Sequence, residues 1–209
     1  MQPLHAVMHL TNNQTLFYCA MKRPPNFKLT AQSATSLFLN RKNVTDFHSA
    51  IRYLKQLPTT QECVSHDLLQ TAQEGGSRCS KTALLAAVAK ENFYTNVKLV
   101  LCTFTESHED NTLIKCLLKN YNLPSLPSTA CFLKYQDEFY SPFSAAQIDP
   151  SSIQSDIEIT PMQIGSFTQR YCHHFIKHWL VIEKLHHSWS VDKIREIKKE
   201  CRQLLENQA

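Results

Sequence analysis

The chain has 209 residues, 43% of them hydrophobic and 19% charged, with three glycines and nine prolines. That is enough apolar material for one folded domain with a real core, and it excludes a disordered or collagen-like chain. A formal charge of +4, from 22 Lys+Arg against 18 Asp+Glu, is too mild to argue for nucleic acid or anionic lipid as a partner.

Residues 1–42 are mixed in character; Thr15 to Met21 reads as a strand that Arg23-Pro24-Pro25 ends. From Asn43 the pattern sharpens. Phe47, Ala50, Ile51 and Leu54 fall on one helical face, and Pro58 stops that helix. A second helix is expected from about Ser80 to Asn92, with Ala and Leu nearly all round, so it should be central and buried. Val97 to Phe104 is β-branched and apolar and reads as a core strand. Leu113, Ile114, Leu117 and Leu118 give a short helix ended by Asn122 and Pro124. Ala130 to Tyr135 and Phe139-Tyr140, joined by Gln136-Asp137-Glu138, read as a hairpin.

The last third is helical. Thr160-Pro161-Met162-Gln163 is a capping box, followed by an apolar stripe of Ile164, Phe167, Tyr171, Phe175, Trp179 and Ile182. A final helix is expected from Ser190, with Trp189 and Ile194 stapled across its cap. Its Lys193, Arg195, Lys198, Lys199 and Arg202 alternate with Glu196 and Glu200, the pattern of a solvated surface. Helices and strands are segregated, so the expected class is α+β. The expected organisation is an N-terminal extension over 1–42 packing on the core, a domain over 43–187 and a C-terminal helix over 188–209.

The eight cysteines (Cys19, Cys63, Cys79, Cys102, Cys116, Cys131, Cys172 and Cys201) contain no Cys-x-x-Cys pair. A zinc ribbon or thioredoxin-type motif is therefore not expected, and the thiols read as reduced, in a cytoplasmic setting. The longest apolar run, Ala83 to Ala89, falls far short of the roughly 20 residues that span a bilayer. No basic region followed by an apolar stretch stands at Met1 to Leu10, so neither a cleaved signal peptide nor a membrane partner is expected.

The segment that carries chemistry is Gly75 to Lys90, a cysteine at the start of a buried helix. A helix N-terminus holds partial positive charge and free N–H groups, which stabilise a thiolate and can hydrogen-bond an oxyanion. Cys79-Ser80-Lys81-Thr82-Ala83-Leu84-Leu85 resembles the Cys-x-x-x-Ala-x-Leu helix start of the transglutaminase-like (papain-like cysteine enzyme) superfamily. Pro127-Ser128-Thr129-Ala130-Cys131-Phe132-Leu133 resembles the Pro-Glu-Ala-His-Cys-Tyr-Leu strand of an uncharacterised bacterial subgroup of that superfamily. Phe139-Tyr140-Ser141 falls where the subgroup has its aspartate, and the likeness continues through Ile159-Thr160-Pro161 and Trp179, covering most of residues 45 to 185.

The resemblance implies a small antiparallel sheet packed on the Cys79 helix, flanked by C-terminal helices. It also implies degenerate chemistry. Ala130 stands at the histidine position and Ser141 at the aspartate position. A gapless match to the subgroup's Gly-Thr-Cys-Ser-x-Lys-His pattern places Arg78 at the cysteine and leaves Cys79 one residue late, a rotation of about 100° on a helix. Neither alanine nor serine accepts a proton at neutral pH in the histidine's place.

The expected function is thus a pseudoenzyme that binds an unknown protein or peptide. Two alternatives stand beside it. One is an acyl-transfer enzyme (amidase, deamidase or protease-like) using Cys79 with a base such as His66 or His108. The other is a helical adaptor binding through its C-terminal helices. His174 and His178 share a helical face, and Cys63-x-x-His66 has a metal-ligand spacing, but neither finds further ligands, so no metal and no cofactor is expected. Gly75-Gly76 precedes Lys81 at the wrong spacing for a phosphate loop.

Overall fold

The computed structural model of the chain describes residues 23–60, 67–106, 111–143 and 150–206. The strand expected at Thr15 to Met21 lies outside them. With no polar face over 83–89, the central helix has nowhere to go but inside. α4 (Arg78–Glu91) carries Ala83, Leu84, Leu85, Val88 and Ala89 at 1% exposure or less. It starts two residues before the sequence pattern implies, because Ser77 caps it by accepting the Ser80 N–H at 3.0 Å.

The sheet comprises β3 (Lys98–Glu106), β4 (Leu126–Tyr135), β5 (Glu138–Tyr140) and β6 (Ile153–Glu158), antiparallel in the order β5-β4-β3-β6. The fold is therefore α+β with a small antiparallel sheet and C-terminal helices. Strand side chains alternate between faces. Leu99, Leu101, Cys131 and Leu133 join the α4 core, while Val100, Cys102, Phe104 and Phe132 form a second cluster on the other face. Burial, with Asp156 nearby, pushes the Cys102 thiol up to about 12.

β6 had no signature in the sequence. Its Gln154, Ser155 and Asp156 are exposed because it pairs with β3 alone, at the sheet edge, and polar residues suit an edge strand. Lys98–Glu158 (2.6 Å) and Lys134–Asp156 (3.0 Å) reach across to it as surface ion pairs.

Residues 23–42 belong to the core. Leu29 N–H donates to Thr45 O and Phe47 N–H to Phe27 O, and the Phe27 ring stacks between Phe47 (4.7 Å) and Tyr94 (3.8 Å). α1 (Ala34–Arg41) escaped notice because it docks through polar groups: the Ser33 and Ser36 hydroxyls donate to Glu91 at 2.6 and 3.1 Å. α2 (Phe47–Gln56) follows its apolar pattern, with Phe47, Ala50, Ile51 and Leu54 buried and Asp46 as cap.

The C-terminal helices depart from expectation in three ways. Gln163 does reach back, accepting the Thr160 N–H at 2.7 Å, but the helix so capped is a single 3-10 turn, Pro161–Gln163. Gly165, at φ 100°, breaks the chain there, and α6 (Ser166–Ile182) starts afresh. The buried face of α6 carries Thr168, Ile176, Trp179 and Leu180, so the expected stripe is rotated and Ile182 is 61% exposed. In α7 (Val191–Glu206), Lys198 is not on the solvated face; its Nζ is buried and donates to Pro127 O (2.8 Å) and the Ser128 hydroxyl (3.1 Å). That burial holds the Lys198 ammonium pKa below the ordinary lysine value. Ile194 and Ile197 share a cluster with Trp179, Leu180 and, from α5 (Thr112–Asn120), Ile114 and Leu118, so α7 is part of the core and not an appendage.

With three glycines in the chain, α3 ends on Gly75 and four other helices use other residues. α1, α4, α5 and α6 all stop with a residue at positive φ (Asn43, Phe93, Asn122 and Lys184) and the same pair of backbone bonds to the last turn. Asparagine tolerates that conformation; a bulky aromatic pays for it with backbone strain. Phe93, at φ 68°, is also 90% exposed and so recovers nothing by packing. Phe93→Gly is expected to raise stability by about 1 kcal/mol, read as a higher urea midpoint at unchanged slope, with Asn43→Gly giving less.

Candidate functional site

Cys79 is the second residue of α4, half-buried against the core, and Arg78 before it is exposed. The helix start is held by the residues before it. β1 (Thr59–Thr60) and β2 (Gly76–Ser77) form a two-residue parallel ladder, and α3 (Leu68–Glu74) leads into it through Gly75. Gly75 sits at φ 92°, and a Cβ there would lie 2.2 Å from Pro58 O. The neighbouring Gly76 N–H donates to that same oxygen at 3.2 Å. No residue but glycine fits this junction.

The residue that sequence reasoning missed is Lys81. It is fully buried, and its Nζ donates to Leu57 O at 2.7 Å and to the Thr59 hydroxyl at 2.8 Å, with the Phe143 ring 5.8 Å away. Both acceptors are neutral, so desolvation prevails and holds the Lys81 ammonium below the usual lysine pKa. The lysine pins the segment after α2 onto the helix start. Its sequence signal was a lone lysine just before the apolar run Ala83 to Ala89, where a solvated side chain is out of place. Around it the Ser77 and Ser80 hydroxyls bond each other at 2.8 Å and the Thr82 hydroxyl donates to Arg78 O. The site is an internally bonded platform.

The other positions named from sequence do not gather there. Ala130 pairs with Cys102 across β3 and β4 and lies with Phe132 and Phe139, on the sheet face away from α4. Ser141 directly follows β5. His66, His108 and Cys63 lie outside the described residues. His48 Nε2 contacts Pro24 O at 2.9 Å, and its neighbour Phe47 belongs to the aromatic stack that ends on Tyr94, beyond the C-terminal end of α4. Fourteen helical residues put that end roughly 20 Å from Cys79. His174 and His178 are both exposed on α6, and among the described residues no three His, Cys, Asp or Glu side chains are grouped to hold a metal ion. No described helix is long and apolar enough to cross a membrane.

No family model, curated protein or solved structure matches the chain at a significant level.

Proposed function

We propose that this is a transglutaminase-like domain whose triad positions no longer support acyl transfer, and that it acts by binding a protein or peptide. The observation that carries this reading is Ala130. The residue at the family's histidine position is a methyl group, and it faces the Cys102–Phe132 cluster and not the helix that bears Cys79. A triad needs a proton acceptor within hydrogen-bond reach of the nucleophile. Arg78, at the family's cysteine position in the gapless register, is a cation and not a nucleophile. The α+β arrangement of an antiparallel sheet on the Cys79 helix supports the fold side of the reading.

Alkylation of the native protein by iodoacetamide at pH 7, followed residue by residue by mass spectrometry, tests it. Cys116 is an exposed thiol, and Cys102 is buried with its thiol pushed up to about 12. Cys79 is expected to react no faster than Cys116, with Cys102 silent, and Cys79→Ala to leave partner binding intact. A Cys79 rate tenfold above that of Cys116 would overturn the proposal in favour of a cysteine enzyme, since activated thiols react as thiolates. The adaptor alternative needs α7 to be separable from the core. Truncation after Ser188 instead removes Ile194 and Ile197, both fully buried, and is expected to unfold the α5–α6 cluster along with any binding.

A further inference from the structure

Away from Cys79, Ser166, Gln169, Arg170 and His173 of α6 and Arg195 of α7 line a shallow, open surface cleft of about 420 Å³. The four α6 residues lie at i, i+3, i+4 and i+7, one face of the helix, and Arg195 approaches from α7. No carboxylate lines the cleft. Asp192 does touch Arg195 from one side, Oδ1 to Nη1 at 3.2 Å, but it is 82% exposed and water screens the pair. A guanidinium has five N–H donors, so most of the Arg195 fork stays available. Arg170 has no ion-pair partner among the described residues.

We propose that this cleft binds the phosphoryl group of a small phosphorylated molecule. Two guanidinium forks, an imidazole, a hydroxyl and an amide line it from two helices, more donors than the two oxygens of a carboxylate can use. A phosphoryl group presents three strong acceptor oxygens and carries nearly two negative charges. No aromatic side chain lines the cleft, so it lacks the stacking platform with which single-stranded nucleic acid is held. The site goes beyond the binding proposed above and does not depend on Cys79 or on a transglutaminase-like ancestry.

Titration calorimetry of the full chain with inorganic pyrophosphate tests it, using Arg170→Gln, Arg195→Gln and, as a surface-charge control, Lys199→Gln. All three residues are exposed, so the variants should fold, which thermal melts verify. One saturable site is expected, weakened at least tenfold by either arginine substitution and unchanged by Lys199→Gln. Absence of binding, or equal weakening by all three variants, overturns the proposal. So does a single-stranded oligothymidylate that binds more tightly than pyrophosphate and is released steeply by salt, because that is the signature of a diffuse polyanion surface.

Discussion

Gly75→Ala is expected to destabilise the protein by about 3 kcal/mol, a large effect for one added methyl group. Two terms add. A residue with a side chain held at φ 92° costs about 1–3 kcal/mol in backbone strain. The new Cβ would also sit 2.2 Å from Pro58 O, the acceptor of the Gly76 N–H, so the carbonyl must swing away and that bond, worth about 1 kcal/mol, goes with it. The consequence should be local as well as global. β1 and β2 meet at Thr59–Gly76 and Thr60–Ser77, and Ser77 caps α4, so the helix start that carries Cys79 shifts with the junction. Urea denaturation gives the magnitude. Hydrogen exchange of the Ser80 and Gly76 amides gives the location: both should lose protection before the α4 interior does. Gly76→Ala is the comparison for the clash: at φ 157° it too carries backbone strain, but its Cβ would meet nothing closer than the Ser80 Cβ at 3.5 Å, so it should cost less than Gly75→Ala. A Gly75→Ala protein as stable as the parent would mean that Pro58 can move aside, and the platform would not be rigid.

Phe47→Ala should cost more, about 3–5 kcal/mol. Phe47 is fully buried, the first residue of α2 and one of the largest side chains in the core. Its ring stacks on Phe27, which in turn stacks on Tyr94, so three separate stretches of chain meet there. Aromatic pairs of this kind add about 0.5–1.5 kcal/mol to what burial alone contributes. Truncation leaves a cavity and also frees Phe27, which is otherwise 6% exposed. Residues 23–29 are then held by the Leu29–Thr45 and Phe47–Phe27 backbone bonds, the His48 bonds to Asn26 and Pro24 and the Phe27–Tyr94 stack, without the central ring. Tryptic cleavage at Lys28 under native conditions is expected to accelerate more than cleavage at Lys193 or Arg195 on α7. Equal acceleration at all three sites would show instead that the N-terminal segment does not open independently.

These two residues also show where local sequence was informative. The α2 periodicity of Phe47, Ala50, Ile51 and Leu54 is a local signal, and all four are buried. Helix α4 and strand β3 were readable as unbroken apolar runs, and the β4–β5 hairpin as two apolar stretches joined by Gln136-Asp137-Glu138; all three are local signals. α1 and β6 were not, because neither is held by an apolar stripe. α1 is tied down by serine hydroxyls on Glu91, and β6 is a polar edge whose partner, β3, lies some fifty residues earlier. The capping box at Thr160 was a correct local reading with the wrong consequence. Gln163 makes its bond, but Gly165 two residues later stops the helix from growing.

The candidate site divides the same way. Composition and local pattern determined that this is an α+β chain with a cysteine at the start of its most buried helix. Those statements need only nearest neighbours. Tertiary structure decided the rest. It turned Ala130 toward Cys102, buried Lys81 and Lys198 on backbone carbonyls, and brought Arg170 and Arg195 from different helices to one cleft. A lysine in a sequence reads as a solvated charge, because its burial depends on acceptors supplied by distant chain. Leu57 O is 24 residues from Lys81, and Pro127 O is 71 from Lys198. Periodicity reports which face of an element is apolar; only the packed structure reports what stands opposite that face, and binding and catalysis depend on what stands opposite.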